Sequence, residues 1–440
     1  MHTDEKGCVV IRYSEAKSHV NSLLRFGVKP GLDTITALMA RLGNPQDRLC
    51  FVHVAGTSGK GSVSRMVSGM CRAAGLRTGL FISPYVLDFR ERIQIDGAWI
   101  SKIDFATAAE QARAAAEQSP ALSVTEFEMI TAIAFVAFLA AGCELVVLET
   151  GLGGRFDATN CIKTPRCAVI TVIGLDHTDI LGDTVAAIAA EKCGIIKPGG
   201  VTVCYPEQSA EALAVIRDAA ARQKNRLIGP DLAGLELTET DIGGSRFCYR
   251  GTDYTLPLCG RHQVINAVTA IEAARVLMLP EAAIRDGLAA AVFPARIELL
   301  RAENPAVILD GAHNADKIAA LCRTLTAAFG EQKFIFIFGM LGDKDVEGAL
   351  GRILPLARQV ITVPIGSPRA ISPAALARRI KAYTPTFGAP PADVMAVRSH
   401  TAALTLAGQA ARETGCPVVI TGSLYLAAAI RQKTMGFFGN

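Results

Sequence analysis

Residues 50–62 read CFVHVAGTSGKGS, an apolar strand pattern that runs directly into a glycine-rich turn. A helical pattern follows over residues 62–74 and ends at Gly75. At such a strand–turn–helix junction, backbone N–H groups and the positive end of the helix dipole face the same anion. The stretch therefore predicts a site for the phosphates of a nucleoside triphosphate. The predicted ligands of the phosphates are Gly56, Thr57, Ser58, Gly59, Lys60, Gly61 and Ser62.

The sequence of this loop departs from the general phosphate-loop pattern G-x-x-x-x-G-K-[ST]. Gly61 separates Lys60 from Ser62, and the first glycine lies three residues before Gly59. A tight glycine turn without a ligand is the alternative interpretation. The coincidence of a lysine, a serine and the strand–helix context favours the phosphate site.

Strand-like and helix-like segments alternate on both sides of the loop, which predicts an α/β fold with a P-loop-type, mostly parallel sheet. Residues 227–258 interrupt this alternation, since their apolar runs are short, β-prone and separated by turn residues. After Phe293-Pro294-Ala295-Arg296 the alternation restarts with the rhythm of a smaller, Rossmann-like domain. Because one hydrophobic core rarely exceeds roughly 300 residues, we expect two domains, residues 1–296 and residues 297–440. The predicted strands are 50–55, 78–82, 145–149, 167–173 and 201–205, then 306–309, 334–338, 360–363, 393–397 and 418–420.

Composition narrows the class of protein. The net charge of +4 is small for 440 residues and gives no reason to expect nucleic acid as a partner. The 12 cysteines form no C-x-x-C pair and no zinc-spaced cluster, which indicates reduced thiols. Residues 1–13 are polar, and the longest apolar run, 129–142, is shorter than the about 20 residues that span a bilayer. These features predict a cytoplasmic protein with small-molecule partners and no membrane association.

Three polar groups follow three predicted strands and are candidate metal ligands. Glu149 ends the strand 145–149, Ser83 follows the strand 78–82, and Asp176-His177 follows the strand 167–173. Ligands of open α/β sheets collect at the carboxyl ends of strands, and magnesium prefers oxygen ligands together with phosphate oxygens. We therefore expect these groups to converge beside the phosphate loop. Taken alone, Glu149 fits a solvated carboxylate and His177 a structural histidine.

A second glycine-rich stretch, Gly151-Leu152-Gly153-Gly154, follows the strand that ends at Glu149. It resembles part of a dinucleotide fingerprint, but the polar residues 155–160 behind it carry no helical pattern. A nicotinamide site is therefore not expected. A substrate loop at the end of a strand is the better interpretation.

Long motifs along nearly the whole chain resemble those of the folylpolyglutamate synthase and dihydrofolate synthase family, within the wider Mur ligase group. The resemblance implies an ATP-dependent ligase: ATP phosphorylates a carboxylate, and the amino group of L-glutamate displaces phosphate to form an amide. The acceptor would be dihydropteroate or a reduced folate that already carries glutamate. Residues 1–296 would bind ATP and the pterin, and residues 297–440 would form the glutamate-ligase domain. The matching stretches are residues 54–62, 148–160, 175–182, 191–197, 310–314, 338–345 and 422–426.

The resemblance also implies roles for single residues. Lys60, Lys192 and His313 would be catalytic, with His313 as a candidate general base or, alternatively, a structural loop contact. Lys192 matches a lysine that the family carries as a carbamate, which would help to bind a second magnesium ion. The implied ligands of the first magnesium ion are Ser83, Glu149 and His177. The implied ATP contacts beyond the phosphate loop are Asn266, Arg296 and Asp310, and the implied pterin contacts are Thr125, Gly153, Arg155 and Asp157.

The chain departs from the family pattern in a few places. The family usually has Asn at the position of Ser58, often has His at the position of Tyr85, and commonly has Gly before Arg296, where this chain has Ala295. The family also suggests a monomer.

Two rival functions remain open: a Mur-type ligase acting on a UDP-sugar peptide or another carboxylate, and a nucleotide-dependent switch without ligase activity. The combination of Glu149, His177 and Lys192 argues against the switch. Both dihydropteroate and reduced folates are expected as acceptors.

Overall fold

The computed structural model describes residues 2–3, 9–10, 12–24, 31–119, 122–302, 305–383 and 393–438. The chain divides into two compact units. The first comprises Met1–Glu236, Phe247–Thr255 and His262–Ala291, and the second comprises Leu237–Arg246, Leu256–Arg261 and Val292–Asn440. The domain boundary expected after residue 296 stays a prediction.

The first unit is built from strands and helices that alternate along the chain. Its strands are β1 (His2–Thr3), β2 (Val9–Val10), β3 (Phe51–Ala55), β4 (Thr78–Phe81), β5 (Ile93–Ile95), β6 (Ala98–Trp99), β7 (Leu145–Glu149), β8 (Cys167–Ile170), β9 (Val201–Cys204) and β10 (Arg226–Ile228). Its helices are α1 (Tyr13–Ser22), α2 (Asp33–Arg41), α3 (Lys60–Ala73), α4 (Lys102–Glu117), α5 (Glu126–Ala140), α6 (Thr178–Leu181), α7 (Val185–Lys192), α8 (Ala210–Arg222), α9 (Arg261–Val276) and α10 (Glu281–Ala289).

The main sheet has eight strands in the order β10-β9-β8-β3-β7-β4-β5-β6. The strands from β10 to β4 are parallel, and β5 and β6 extend the sheet as antiparallel strands. All five residues of β3 are buried, as expected for a central strand covered on both faces. The loop after β3 is therefore flanked by the loops that follow β7 and β8. This topology confirms the predicted mostly parallel α/β sheet.

Single residues explain where one helix of the first unit begins and how closely two others pack. Thr125 caps the apolar helix α5 through a capping box with Glu128, which explains where this helix begins. Helix α3 packs closely on α10, and a Cβ at Gly69 would lie 2.7 Å from the carbonyl oxygen of Gly287. Glycine at that position therefore lets the two backbones approach each other. Within the described residues, no helix has the length and apolar character that crossing a membrane requires.

The β-prone residues 227–258 contribute a small three-stranded sheet. Its strands are β11 (Leu235–Asp241), β12 (Gly244–Tyr249) and β13 (Thr252–Leu256), with β12 in the centre. Two-residue turns, Ile242-Gly243 and Arg250-Gly251, connect these strands, as expected for the turn-rich sequence.

The second unit has a six-stranded sheet in the order β14-β15-β19-β16-β17-β18. Only β14 is antiparallel to its neighbour, and β19 lies between β15 and β16 although it is the last strand in the chain. The core includes Phe334, Phe336 and Phe338, which alternate along β16. The strands are β14 (Glu298–Arg301), β15 (Val307–Leu309), β16 (Phe334–Phe338), β17 (Ala357–Thr362), β18 (Asp393–Ala396) and β19 (Val418–Thr421), and the helices are α11 (Ala315–Phe329), α12 (Val346–Ile353), α13 (Pro373–Ala382), α14 (His400–Thr414) and α15 (Leu424–Phe438).

Candidate active site

The phosphate loop, residues 56–62, connects the central strand β3 to α3, and its backbone requires glycine at two positions. A Cβ on Gly56 would lie 1.8 Å from Thr171 Oγ1. Gly59 caps α3 with φ +87°, and a Cβ there would meet Asn266 Oδ1 at 2.7 Å. Only glycine fits both positions without displacing these side chains. The first N–H groups of α3 have no intrahelical partner and are suited to an anion.

Residues that follow β8 hold the phosphate loop in place. Thr171 Oγ1 donates a hydrogen bond of 2.7 Å to the carbonyl oxygen of Ser58. The backbone N–H of Thr57 donates to the carbonyl oxygen of Val172 (2.9 Å), and Thr57 Oγ1 donates to that of Gly174 (3.0 Å). These hydrogen bonds to the residues after β8 preorganise the loop, which reduces the reorganisation needed when phosphates bind.

Two lysines converge on one carbonyl group of the phosphate loop. Lys60 Nζ and Lys192 Nζ each donate a hydrogen bond of 2.9 Å to the carbonyl oxygen of Gly56. Lys192 is buried, and its burial, followed by the nearby charge of Lys60, lowers the pKa of Lys192 to about 7. Two cationic groups on one oxygen favour the binding of negative charge at this point.

A buried carboxylate lies beside the phosphate loop. Glu149 ends β7, and its Oε2 accepts a hydrogen bond of 3.2 Å from the backbone N–H of Ser83. A Cβ on Gly61 would lie 3.6 Å from the same oxygen. The structure therefore brings Ser83, Glu149 and the first turn of α3 together, at the carboxyl ends of neighbouring strands.

His177 occupies the N-cap position of α6, with φ +51°. Its backbone N–H donates to Asp176 Oδ1 at 3.1 Å, and its Nε2 lies 3.9 Å from that oxygen. Within the described ranges, no three His, Cys, Asp or Glu side chains are grouped so that they alone hold a metal ion. A magnesium ion beside Glu149 would therefore need hydroxyl, water or phosphate oxygens as well, and these are donors that magnesium prefers.

Loop 151–160 follows β7 and packs on the end of α7. The backbone N–H of Arg155 donates to the carbonyl oxygen of Glu191 at 2.7 Å, and a Cβ on Gly154 would lie 2.8 Å from that oxygen. Gly153 has φ +67°, which favours glycine. The Arg155 guanidinium lies 5.7 Å from the ring centre of Phe156, and both side chains are exposed. They are accessible to a ligand from solvent.

Asp157 and Thr125 point into the protein. Asp157 Oδ2 accepts from the backbone N–H of Leu152 (2.8 Å), and Oδ1 accepts from that of Thr159 (3.1 Å). Burial raises the pKa of Asp157 despite these hydrogen bonds. Thr125 Oγ1 accepts from the backbone N–H of Glu128 (3.2 Å) and donates to Glu128 Oε2 (2.7 Å). Both residues shape the local backbone next to the site.

Asn266 reaches the phosphate loop from α9. It is buried, and its Nδ2 donates a hydrogen bond of 3.1 Å to Gln263 Oε1. Its Oδ1 is the atom that faces Gly59, and it has no hydrogen-bond partner in the described part of the chain. An amide oxygen in this position is suited to accept a hydrogen bond from a ligand.

In the second unit, Asp310 follows β15 and organises the backbone around it. Its Oδ2 accepts from the backbone N–H of Ile297 and its Oδ1 from that of Ala312, both at 2.8 Å. Burial raises the pKa of Asp310, and the positive charge of Arg296 opposes this effect. Ala295 has φ +53°, a conformation in which glycine avoids the Cβ penalty. This accounts physically for the glycine that is common at this position.

His313 is a neutral imidazole in the same unit. Its Nε2 lies 3.2 Å from Lys317 Nζ, which can only donate, so Nδ1 carries the hydrogen and donates to the carbonyl oxygen of Gly311 at 2.8 Å. Burial, followed by the charge of Lys317, lowers the pKa of His313 to about 4. Action as a general base would therefore require Nε2 to exchange Lys317 for a substrate amine.

Sequence reasoning missed a buried ion pair beneath the loop that follows β4. Glu91 is 1% exposed and forms an ion pair of 2.5 Å with Arg65. Its Oε2 also accepts from the backbone N–H groups of Val86 and Leu87, at 2.9 and 2.8 Å. The available signal was a glutamate placed between two arginines in an otherwise apolar stretch, Phe89 to Ile93.

Tyr85, which stands where the family often has His, packs against an arginine. The Arg92 guanidinium lies 5.3 Å from the ring centres of both Tyr85 and Phe89, and the two rings meet edge to face at 5.6 Å. Arg92 also lies 3.5 Å from Glu126, the residue after Thr125. The tyrosine is therefore accommodated by a cation–π contact.

Two family models match the chain. Residues 54–274 match the Mur ligase middle domain, and residues 295–424 match the Mur ligase glutamate ligase domain. Together these segments include the phosphate loop, loop 151–160, Lys192 and Asp310.

Relatives match over almost the full length. The dihydrofolate synthase/folylpolyglutamate synthase of Bacillus subtilis is 35% identical, over 96% of this chain and 99% of the relative. Folylpolyglutamate synthase of Mycobacterium tuberculosis, complexed with ADP and AMPPCP, superimposes with a TM-score of 0.84 at 34% identity, over 96% of this chain and 99% of that one. E. coli FolC in complex with DHPP and ADP gives a TM-score of 0.82 at 28% identity, with coverages of 97% and 98%.

Proposed function

The chain belongs to the dihydrofolate synthase and folylpolyglutamate synthase family of Mur ligases, and from that premise we propose how its residues catalyse the reaction. It is an ATP-dependent ligase that adds L-glutamate to dihydropteroate, to the glutamate tail of a reduced folate, or to both. The observation that carries the assignment of roles is the convergence of Lys60 and Lys192 on the carbonyl oxygen of Gly56, beside the buried Glu149.

The phosphate loop binds the ATP phosphates. The N–H groups at the start of α3 and the helix dipole stabilise the negative charge, and Lys60 exchanges its contact with Gly56 for the β- and γ-phosphates. Asn266, whose side chain faces Gly59, contacts the nucleotide from α9. For Arg296 and Asp310 of the second unit, contact with ATP stays a prediction from the family resemblance.

Magnesium fits the donor set beside the phosphate loop. Glu149, the Ser83 hydroxyl and His177 would hold one ion together with phosphate oxygens. When bound, magnesium neutralises charge on the phosphates and polarises the transferred phosphoryl group. The position of Glu149 supports this assignment. Its carboxylate lies beside the first turn of α3 and accepts the backbone N–H of Ser83, so it is already oriented before an ion binds.

Lys192 is carried as a carbamate. The Nζ ammonium group first loses a proton, which its pKa of about 7 allows. The neutral amine then attacks carbon dioxide, an N–C bond forms and a second proton is released, so that a cationic side chain becomes anionic. The modification would relieve the repulsion between Lys192 and Lys60, which meet at one carbonyl oxygen, and would supply oxygens for a second magnesium ion. Incubation with 13C-labelled bicarbonate should give a carbamate carbon signal in NMR spectra that is lost in Lys192→Ala. An identical signal in that variant would contradict the modification.

Ligation proceeds in two steps. A carboxylate oxygen of the acceptor attacks the γ-phosphorus of ATP, and ADP leaves. The amino group of L-glutamate then attacks the acyl carbon, loses a proton and expels phosphate. His313 is the candidate that receives this proton, after Nε2 exchanges Lys317 for the amine. Loop 151–160 holds the pterin acceptor: Gly153, Arg155 and Phe156 contact it, while Asp157 and Thr125 keep the surrounding backbone in shape.

The test is a phosphate-release assay with purified protein, ATP and magnesium. Phosphate should appear only when L-glutamate and a pterin acid are both present. A comparison of dihydropteroate with tetrahydrofolate as acceptor distinguishes dihydrofolate synthase activity from folylpolyglutamate synthase activity. A UDP-sugar peptide acid, supplied as a third acceptor, tests for a Mur-type ligase. Equal phosphate release without glutamate would contradict the ligase assignment, and activity on the UDP-sugar acid alone would contradict the pterin assignment.

A further inference from the structure

His53 is a polar residue in the most buried part of the first unit. It lies in the middle of β3, shortly before the phosphate loop, and its side chain is fully buried. Burial lowers the pKa of His53 to about 3, so the imidazole is neutral at physiological pH. A buried polar ring destabilises the fold unless it is hydrogen-bonded. The reason for this histidine is therefore to be sought in its partner.

That partner belongs to loop 151–160. His53 Nε2 lies 2.9 Å from Thr159 Oγ1, and Thr159 Oγ1 donates to Asp157 Oδ1 at 2.5 Å. Because a threonine hydroxyl carries one hydrogen, His53 Nε2 is the donor in the first of these bonds. His53 Nδ1 has no hydrogen-bond partner among the residues that the structure describes. The hydrogen bonding of the imidazole is thus directed at the loop alone.

The other side of loop 151–160 is held independently. Asn160 Nδ2 donates to the carbonyl oxygens of Gly194 (3.1 Å) and Arg155 (3.0 Å), which fixes the loop to the turn after α7. The inner side depends on Asp157, which receives Thr159 Oγ1 and the backbone N–H of Leu152. His53 is the group of the central strand that keeps the Thr159 hydroxyl pointing at Asp157.

We propose that His53 is a positioning residue for the acceptor: through Thr159 and Asp157 it sets the conformation of loop 151–160 and hence the affinity for the pterin acid. The proposal rests on the proposed function, which assigns the acceptor to this loop. An apolar side chain of similar size would fill the same space but could not donate to Thr159. The phosphate loop is held by Thr171, Val172 and Gly174 instead, so ATP binding should not depend on His53.

Two matched pairs of variants test this role. His53→Leu removes the donor and His53→Gln keeps an N–H group near the position of Nε2, while Thr159→Val removes the hydroxyl and Thr159→Ser keeps it. In His53→Leu and Thr159→Val, KM for the pterin acid should rise about tenfold, the effect of losing one hydrogen bond. KM for ATP should be unchanged, and the Gln and Ser variants should stay within about twofold of the parent. If His53→Leu does not fold, Thr159→Val carries the test.

Hydrogen–deuterium exchange provides a readout without catalysis. The amides of Leu152 and Thr159, which donate to Asp157, should exchange faster in Thr159→Val and His53→Leu than in the conservative variants. Unchanged exchange and an unchanged acceptor KM would overturn the proposal, as would equal increases in the KM values of ATP and acceptor. If the parent protein shows no pterin-dependent activity while exchange responds as expected, the proposed function fails and the loop-positioning role stands.

Discussion

Lys192 combines burial with a position next to a second cation, and this makes it the most informative single residue to change. Lys192→Ala should lower kcat on the order of a hundred- to a thousand-fold, as expected for loss of a preorganised electrostatic group. In protein kept free of carbon dioxide, where Lys192 is unmodified, the free energy of unfolding should stay equal or rise in this variant, because a buried amine next to the charge of Lys60 is removed. Steady-state kinetics and urea denaturation measure the two quantities.

Lys197→Met is the matched control for this change. Lys197 is also partly buried, and burial lowers its pKa, but its Nζ bonds to the carbonyl oxygen of Asn160 rather than to the phosphate loop. The kcat of Lys197→Met should remain near that of the parent protein. Full activity in Lys192→Ala, or equal losses in both variants, would remove the catalytic role of Lys192.

His53 makes stability depend on pH in a predictable direction. Its pKa is about 3 in the folded protein and 6.5 ordinarily, so below pH 6.5 the unfolded chain takes up a proton that the folded protein excludes. Above pH 6.5 this difference has no effect on the free energy of unfolding. As pH falls from 6.5 towards 3, the free energy of unfolding decreases progressively. Between pH 7 and pH 5 this group should reduce the free energy of unfolding by about 2 kcal/mol.

Urea denaturation at the two pH values checks this prediction against His53→Gln, which does not titrate. The variant should lose about 2 kcal/mol less than the parent on acidification. An equal loss in both proteins would show that the folded imidazole takes up its proton as readily as the unfolded one.

At the scale of elements, the loop after β4 depends on the buried pair of Arg65 and Glu91. Glu91→Gln should destabilise the protein by about 3 kcal/mol, because it removes one partner of a buried ion pair. Glu117→Gln breaks an exposed ion pair with Arg113 on α4 and should cost less than about 1 kcal/mol. Chemical denaturation of both variants measures the difference, and similar costs would contradict a structural role for Glu91.

Elements that are buried on both faces were the ones that the sequence predicted well. Strands β3, β7 and β16 appear in the sequence as mainly apolar runs, with His53 inside β3 and Glu149 at the end of β7. Each lies within one residue of its expected bounds. The hairpin of β5 and β6 escaped prediction because its strands have only three and two residues and β6 is an exposed edge. Periodicity requires more residues than such short strands supply.

At the scale of the whole molecule, nucleotide binding should stabilise the fold through mass action. AMPPCP with magnesium at a hundred times its Kd should raise the free energy of unfolding by about 2.7 kcal/mol. Thermal denaturation with increasing nucleotide measures this effect. Lys60→Ala should need much more nucleotide for the same shift. A shift of the same size in that variant at the same concentrations would contradict the assignment of Lys60 to the phosphates.

The α/β alternation, the glycine-rich loop after β3 and the polar groups at strand ends each depend on residues that are close together in the chain. The sequence by itself therefore determined these features. The tertiary structure alone decided the strand order, in which the last strand β19 lies between β15 and β16. It also decided that Lys192 meets Lys60 at Gly56, 136 residues away, and that His53 bonds to Thr159, 106 residues away. Such pairs depend on how strands are ordered and how helices pack across them, and no local periodicity records that order.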